Sequence, residues 1–126
     1  MIAIGIGCRG GATKEAILAI VRDALARAQA PGETARLFSI DRKRGERGLV
    51  AAAQELDMPL DFLAPEMLRA VEGRVVTRSR RAEAELGVAS VSEAAALVGA
   101  GANARLLGPR IAAAGVTCAI ARGPGR

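Results

Sequence analysis

The sequence predicts a single-domain α/β fold, a layered sandwich in which helices pack on a mixed sheet with parallel pairing at its centre. Three observations carry this. β-prone and helix-periodic segments alternate along the chain, as parallel βαβ units require. The 126 residues suffice for one hydrophobic core and not for two. Two closely spaced apolar runs near the end leave room only for a mixed edge.

The first strand is the apolar opening run of Ile2, Ala3, Ile4 and Ile6. Gly5, Gly7, Gly10 and Gly11 then let the backbone turn tightly and approach a ligand, and Thr13 is placed to cap a helix. Ile17, Ile20, Val21, Ala24, Leu25 and Ala28 recur at three- and four-residue intervals, giving a helix over Lys14 to Ala28 that ends at Ala30, Pro31 and Gly32. Arg36 to Ile40 reads as the second strand. The polar turn DRKRGERGL then leads into a helix carrying Leu49, Val50, Ala53 and Leu56. A short strand over Leu60 to Leu63 follows Pro59, and Pro65 opens a brief helix as its first residue. Val75 and Val76 are too short a run to assign. Ser79 caps a small helix ending at Gly87, and Ser90 with Glu93 forms an S-x-x-E capping box for the helix VSEAAALVGA. Arg105 to Leu107 and Val116 to Ala121, separated by a Gly108-Pro109 turn and an alanine-rich segment, supply the last two strands. The domain is expected to span residues 1–122, with 123–126 a flexible tail.

Composition narrows the function. No apolar run approaches the roughly 20 residues of a membrane-spanning helix, and the start lacks the basic region and cleavage site of a secretory signal, so a soluble cytoplasmic protein is expected. Cys8 and Cys118 are the only cysteines, too few for a disulfide framework. The absence of histidine removes His-based zinc sites and Ser-His or Cys-His nucleophile pairs, and neither a metal nor a cofactor is expected. The net charge of +5 comes from sixteen arginines and two lysines against thirteen acids. Arginine's planar fork suits bidentate contact with carboxylate or phosphate, although a compositional bias toward Arg and Ala would give the same excess. Nucleic acid is a poor partner: two phenylalanines and no tyrosine or tryptophan leave little for bases to stack on. A small polyanion suits the charge better.

Where that anion docks is suggested by the chain's opening. A strand breaking into glycines and then into a helix aims unpaired N–H groups at the loop, and Arg9 adds a full charge there. Ligands on α/β sheets bind outside the carboxyl ends of strands, so the turns after strands one and two share a rim that carries Cys8, Arg9, Asp41, Arg42, Lys43, Arg44 and Glu46. Gly5, Gly7 and Gly10 also satisfy the G-x-G-x-x-G pattern of a dinucleotide site. The acid expected about 20 residues further on has no good counterpart, since Glu33 falls in a turn and Asp41 comes too late.

Three ordered motifs carry a more specific resemblance. GIGCRGGAT at Gly5 to Thr13, IDRKRGERGL at Ile40 to Leu49 and GVASVSEAAAL at Gly87 to Leu97 together resemble the CobE/CbiG C-terminal-domain family of cobalamin biosynthesis. The first is similar to the family's G-x-G-C-R-R-G, with Gly10 where a second arginine is common. The second matches at Asp41, Lys43, Glu46, Gly48 and Leu49, with Arg47 in a place often held by proline. The third matches at Gly87, Val88, Ser90, Val91, Glu93, Ala94, Ala95 and Leu97. Near the end, where the family often shows a lysine after a Leu-Leu strand, Arg110 keeps the charge.

The resemblance implies a part in building the corrin ring. CbiG-type proteins open the δ-lactone of a cobalt-precorrin and release a two-carbon fragment, using further domains absent from these residues; the chain is most similar to the freestanding CobE form. A precorrin or corrin intermediate bears many carboxylates, which gives the arginines a purpose, and other enzymes of the pathway are implied as partners. The implied substrate-binding residues are Gly7, Cys8, Arg9, Gly10, Gly11, Thr13, Lys43, Ser79 and Glu93. Asp41 and Glu46 are the candidates for acid/base catalysis if the protein is a hydrolase. Each has a plainer alternative: Cys8 as a small buried turn residue, Asp41 and Glu46 in salt bridges, Glu93 as the capping carboxylate, and Ser79 as a helix start.

Overall fold

A computed structural model describes residues 1–30 and 33–126; the expected helix stop at Pro31 and Gly32 lies outside them. The first strand, β1 (Ile2–Cys8), alternates in its use of side chains. Ile2, Ile4 and Ile6 enter one core with helices α1 (Lys14–Ala28) and α2 (Arg47–Leu56), while Ala3 enters a second core on the opposite face. That second face is covered by α3 (Pro65–Arg69) and α5 (Val91–Ala100), with α4 (Arg80–Leu86) between them in sequence. Period-two alternation in the strand thus creates the three layers, and with them a core on each face of the sheet where the chain length predicts a single one.

The sheet joins two halves. β1 pairs in parallel with β2 (Ala35–Ile40), which pairs in parallel with β3 (Leu60–Leu63). On its other side β1 runs antiparallel to β6 (Val116–Arg122), and β6 carries both β4 (Arg105–Leu106) and β5 (Ile111–Ala113) along its far edge, also antiparallel. The strand order is β3-β2-β1-β6-β4, with β5 beside β6. This is the mixed α/β sandwich the sequence predicts.

Caps follow the sequence closely. Thr13, Ser79 and Ser90 each accept from the backbone N–H three residues on, and Pro65 opens α3. α1 stops at Gln29, which adopts left-handed geometry (φ 51°). Three differences from expectation have physical causes. Strand β5 lies inside the alanine-rich segment, whose low β-propensity hides it; antiparallel pairing with β6 through a two-residue turn, Ala114 and Gly115, supplies the stability that propensity lacks. Val75 and Val76, after a 3₁₀ turn at Glu72–Arg74, run as an irregular strap, because the strap's N–H groups are taken by a side chain rather than by a strand. The capping box is only half made, since the Glu93 carboxylate is engaged elsewhere. At the terminal stretch, the Met1 ammonium donates to Gly123 O at 3.0 Å and Gly125 N to Ala100 O at 2.8 Å.

Gly5 and Gly7 have a different use from the one their spacing suggests. Both sit inside β1 under the first turns of α5, where a Cβ on Gly5 would overlap the Ser92 carbonyl oxygen. Gly99 of α5 likewise lies against the ring of Phe38, so helix and sheet meet at close to backbone contact. The strand-to-helix packing, and not a phosphate loop, claims the first two glycines of the pattern.

Candidate functional site

Because β1 and β2 are parallel, their carboxyl ends open on the same rim, and the antiparallel β6 begins there. A cleft of about 560 Å³ occupies this rim. Its floor is Gly7 and Cys8 with Val91, Val116 and Thr117; the glycine loop contributes Arg9 and Gly10, the turn after β2 contributes Arg42 and Lys43, α4 and its cap form one wall, and Arg110 with the β5–β6 turn forms another. The backbone binds these parts together, Arg9 N donating to Gly115 O at 3.0 Å and Thr117 Oγ1 to Gly7 O at 3.3 Å.

Five cationic side chains line the cleft, Arg9, Arg42, Lys43, Arg81 and Arg110, against the single carboxylate of Glu85. Glu85 is held by Arg81 Nε at 3.1 Å, and its main-chain carbonyl accepts from Arg42 Nη1 at 2.8 Å. Arg9, Lys43 and Arg110 form no ion pair among the described residues. Cations without an ion-pair partner, beside apolar lining from Ala82, Leu86, Val91, Ala112, Ala113 and Val116, give the cleft an amphiphilic surface with an excess of positive charge.

Of the residues singled out from the sequence, Gly7, Cys8, Arg9, Gly10, Lys43 and Ser79 line this cleft, while Gly11, Thr13, Asp41, Glu46 and Glu93 do not. The last five hold the frame. Gly11 N donates to Glu46 Oε1 at 2.8 Å, so the anion at the glycine loop is one of the protein's own carboxylates. Gly48 makes this junction possible, since a Cβ there would overlap Ala12 O. Thr13 Oγ1 caps α1, and Asp41 Oδ1 accepts from Arg44 Nη2 at 2.8 Å, Arg44 in turn lying 5.2 Å over the Phe62 ring. Burial pushes the Cys8 thiol above its ordinary value; Lys43 pulls it partly back and Glu46 adds to the rise, so the thiol is protonated at neutral pH.

Glu93 is fully buried. Its Oε1 accepts from Val76 N and Thr77 N, both at 2.9 Å, and its Oε2 from Thr77 Oγ1 at 2.8 Å and Arg110 N at 2.9 Å. Burial raises its pKa, but these donors, led by Arg110 N, outweigh it and hold the carboxyl below its ordinary range. The turn at Ala114–Gly115, Leu86 and Thr117 had no signal in the sequence that named them as cleft residues. The one usable hint was Gly115, which ends the alanine run where a tight turn needs a positive φ (79°).

Fold and cleft together define a small three-layer α/β protein whose sheet rim carries a cationic, amphiphilic cleft. The sequence matches the family described as "Cobalamin synthesis G C-terminus" over residues 2–121. It is similar to Protein CobE of Sinorhizobium sp, with 36% identity over 121 residues, 95% of this chain and 79% of that one. Among solved structures, it resembles the 1.7 Å crystal structure of CobE, a protein from the cobalamin (vitamin B12) biosynthetic pathway: TM-score 0.87, 36% identity, all of this chain and 92% of that one. It also resembles cobalamin biosynthesis protein chiG from Agrobacterium tumefaciens (TM-score 0.74, 38% identity, 98% and 99% coverage). A cobalamin biosynthesis protein G homologue from Sulfolobus solfataricus, at 23% identity and TM-score 0.67, shares the fold. The chain belongs to the cobalamin synthesis G C-terminal family.

Proposed function

We propose that this protein binds a carboxylate-rich precorrin or corrin intermediate in the rim cleft and holds it for a partner enzyme of cobalamin biosynthesis. The observation that carries the reading is the cluster of Arg9, Lys43 and Arg110, unpaired cations around an apolar floor. A corrin presents the complementary pattern, an apolar ring edged by acetate and propionate groups. Binding is favoured over lactone hydrolysis because no unoccupied carboxylate borders the described cleft: Glu85 is held by Arg81, and Asp41 and Glu46 are committed to Arg44 and Gly11 N.

Absorbance titration with cobyrinic acid, a corrin whose side chains are all free acids, tests this. Arg9→Ala and Arg110→Ala are each expected to weaken binding about tenfold, the loss of one charge-assisted contact. The wild-type affinity should fall as salt rises and nearly vanish for the fully methyl-esterified corrin. Affinity indifferent to substitution, salt and esterification would overturn the reading. Catalytic release of acetaldehyde from a δ-lactone-bearing precorrin would replace binding by hydrolysis.

A further inference from the structure

Two walls of the cleft hang on one buried carboxylate. The strap from Val75 to Arg78 leads directly into Ser79 and α4, which supplies Arg81, Ala82, Glu85 and Leu86; Arg110 opens the other wall at the start of β5. Neither segment has regular secondary structure of its own at this point, since the strap pairs with no strand and Arg110 follows the Gly108-Pro109 turn. Both are fixed by hydrogen bonds to Glu93, the strap through Oε1 and Oε2, Arg110 through Oε2. Ser79 N donating to Ala89 O, at 2.8 Å, and Ala89 N donating to Glu72 Oε1, at 2.9 Å, secure the same strap to the residues just before α5.

We infer that Glu93 is a positioning residue: by gripping the backbone N–H of Arg110 and the strap at a single point on α5, it sets the spacing of the two walls and aims the Arg110 guanidinium across the cleft. The inference rests on the cleft being the binding site. A buried anion is tolerated only where donors satisfy it, and here four donors come from two segments that would otherwise be irregular loops. The carboxylate is needed for its symmetry. A carboxamide retains one acceptor oxygen, which can keep Val76 N and Thr77 N, but its NH₂ group then faces Arg110 N–H, donor against donor. Glu93→Gln therefore releases Arg110 selectively and leaves the strap in place.

Two measurements on the full chain test this. Amide hydrogen exchange of the ligand-free protein should show Arg110 exchanging much faster in Glu93→Gln than in wild type, with Val76 and Thr77 changed far less. Cobyrinic acid affinity should fall by about fivefold in Glu93→Gln, and that loss should disappear in an Arg110→Ala background, because no guanidinium remains to be misplaced. Additive losses, or an Arg110 amide unaffected by Glu93→Gln, would overturn the positioning role while leaving the cleft reading intact. Should Glu93→Gln fail to fold, Glu93→Asp carries the same cycle, its shorter arm being unable to span both walls. If the wild type binds no cobyrinic acid, the cleft reading fails and the aiming of Arg110 at a ligand fails with it, whatever the exchange pattern shows of the clamp.

Discussion

Gly5 shows how one residue can serve a purpose its neighbours in sequence do not disclose. A methyl group there would overlap the Ser92 carbonyl, and backbone on both sides leaves nothing flexible to yield. Gly5→Ala is expected to destabilise the fold by about 1–3 kcal/mol or more, as overpacking does, with the loss read from the midpoint of chemical denaturation. Gly10, whose added Cβ would meet nothing within 4 Å, provides the contrast: alanine there should leave stability within about 0.5 kcal/mol of wild type. Read along the chain, Gly5, Gly7 and Gly10 look alike, because a spacing pattern cannot separate glycines pressed by a distant helix from glycines in an open loop. Arg9 and Lys43 were legible, because a charge just past a strand's carboxyl end points to one rim whatever packs below. Glu93 reads from the sequence as a helix cap and, through the family resemblance, as a substrate-binding residue, but its grip on the cleft walls is not legible, since its donors come from the strap and from Arg110, segments with no recognisable pattern of their own.

The elements themselves divide by how local their causes are. α1, α2 and the caps of α4 and α5 are written in periodicity and in single hydroxyl residues, and the structure has them where the sequence puts them. β5 is the opposite case: Ile111, Ala112 and Ala113 become a strand because β6 is there to receive them. Their turn is imperfect. Ala114 holds φ 53° in a two-residue hairpin where both central positions are left-handed, a geometry that disfavours a Cβ. Replacing it with asparagine gives the Asn-Gly pair such turns prefer, and Ala114→Asn is expected to raise stability by about 1 kcal/mol, with an unchanged denaturant slope. A drop in stability would show that the turn contributes something other than backbone geometry.

At the scale of the whole molecule, two cores on opposite faces of one sheet carry the fold, and Glu93 ties the cleft walls to the second. Its pH dependence has a definite sign. A carboxyl whose folded pKa lies below its ordinary 4.5 binds protons more readily in the unfolded chain, so it contributes stability in full above about pH 4.5 and loses it as pH falls through the folded value. The unfolding free energies of wild type and Glu93→Gln should therefore differ most at neutral pH and converge in acid; a gap that widens in acid would contradict this. No helix of the described residues is long and apolar enough to cross a membrane. The bond between the Met1 ammonium and Gly123 O has a consequence of another kind. Entry and exit of the chain lie side by side, at the opposite end of β1 from Cys8 and the cleft. A protein so built can be spliced into a loop of a larger polypeptide, or circularly permuted through a short linker, with the rim cleft facing away from the seam.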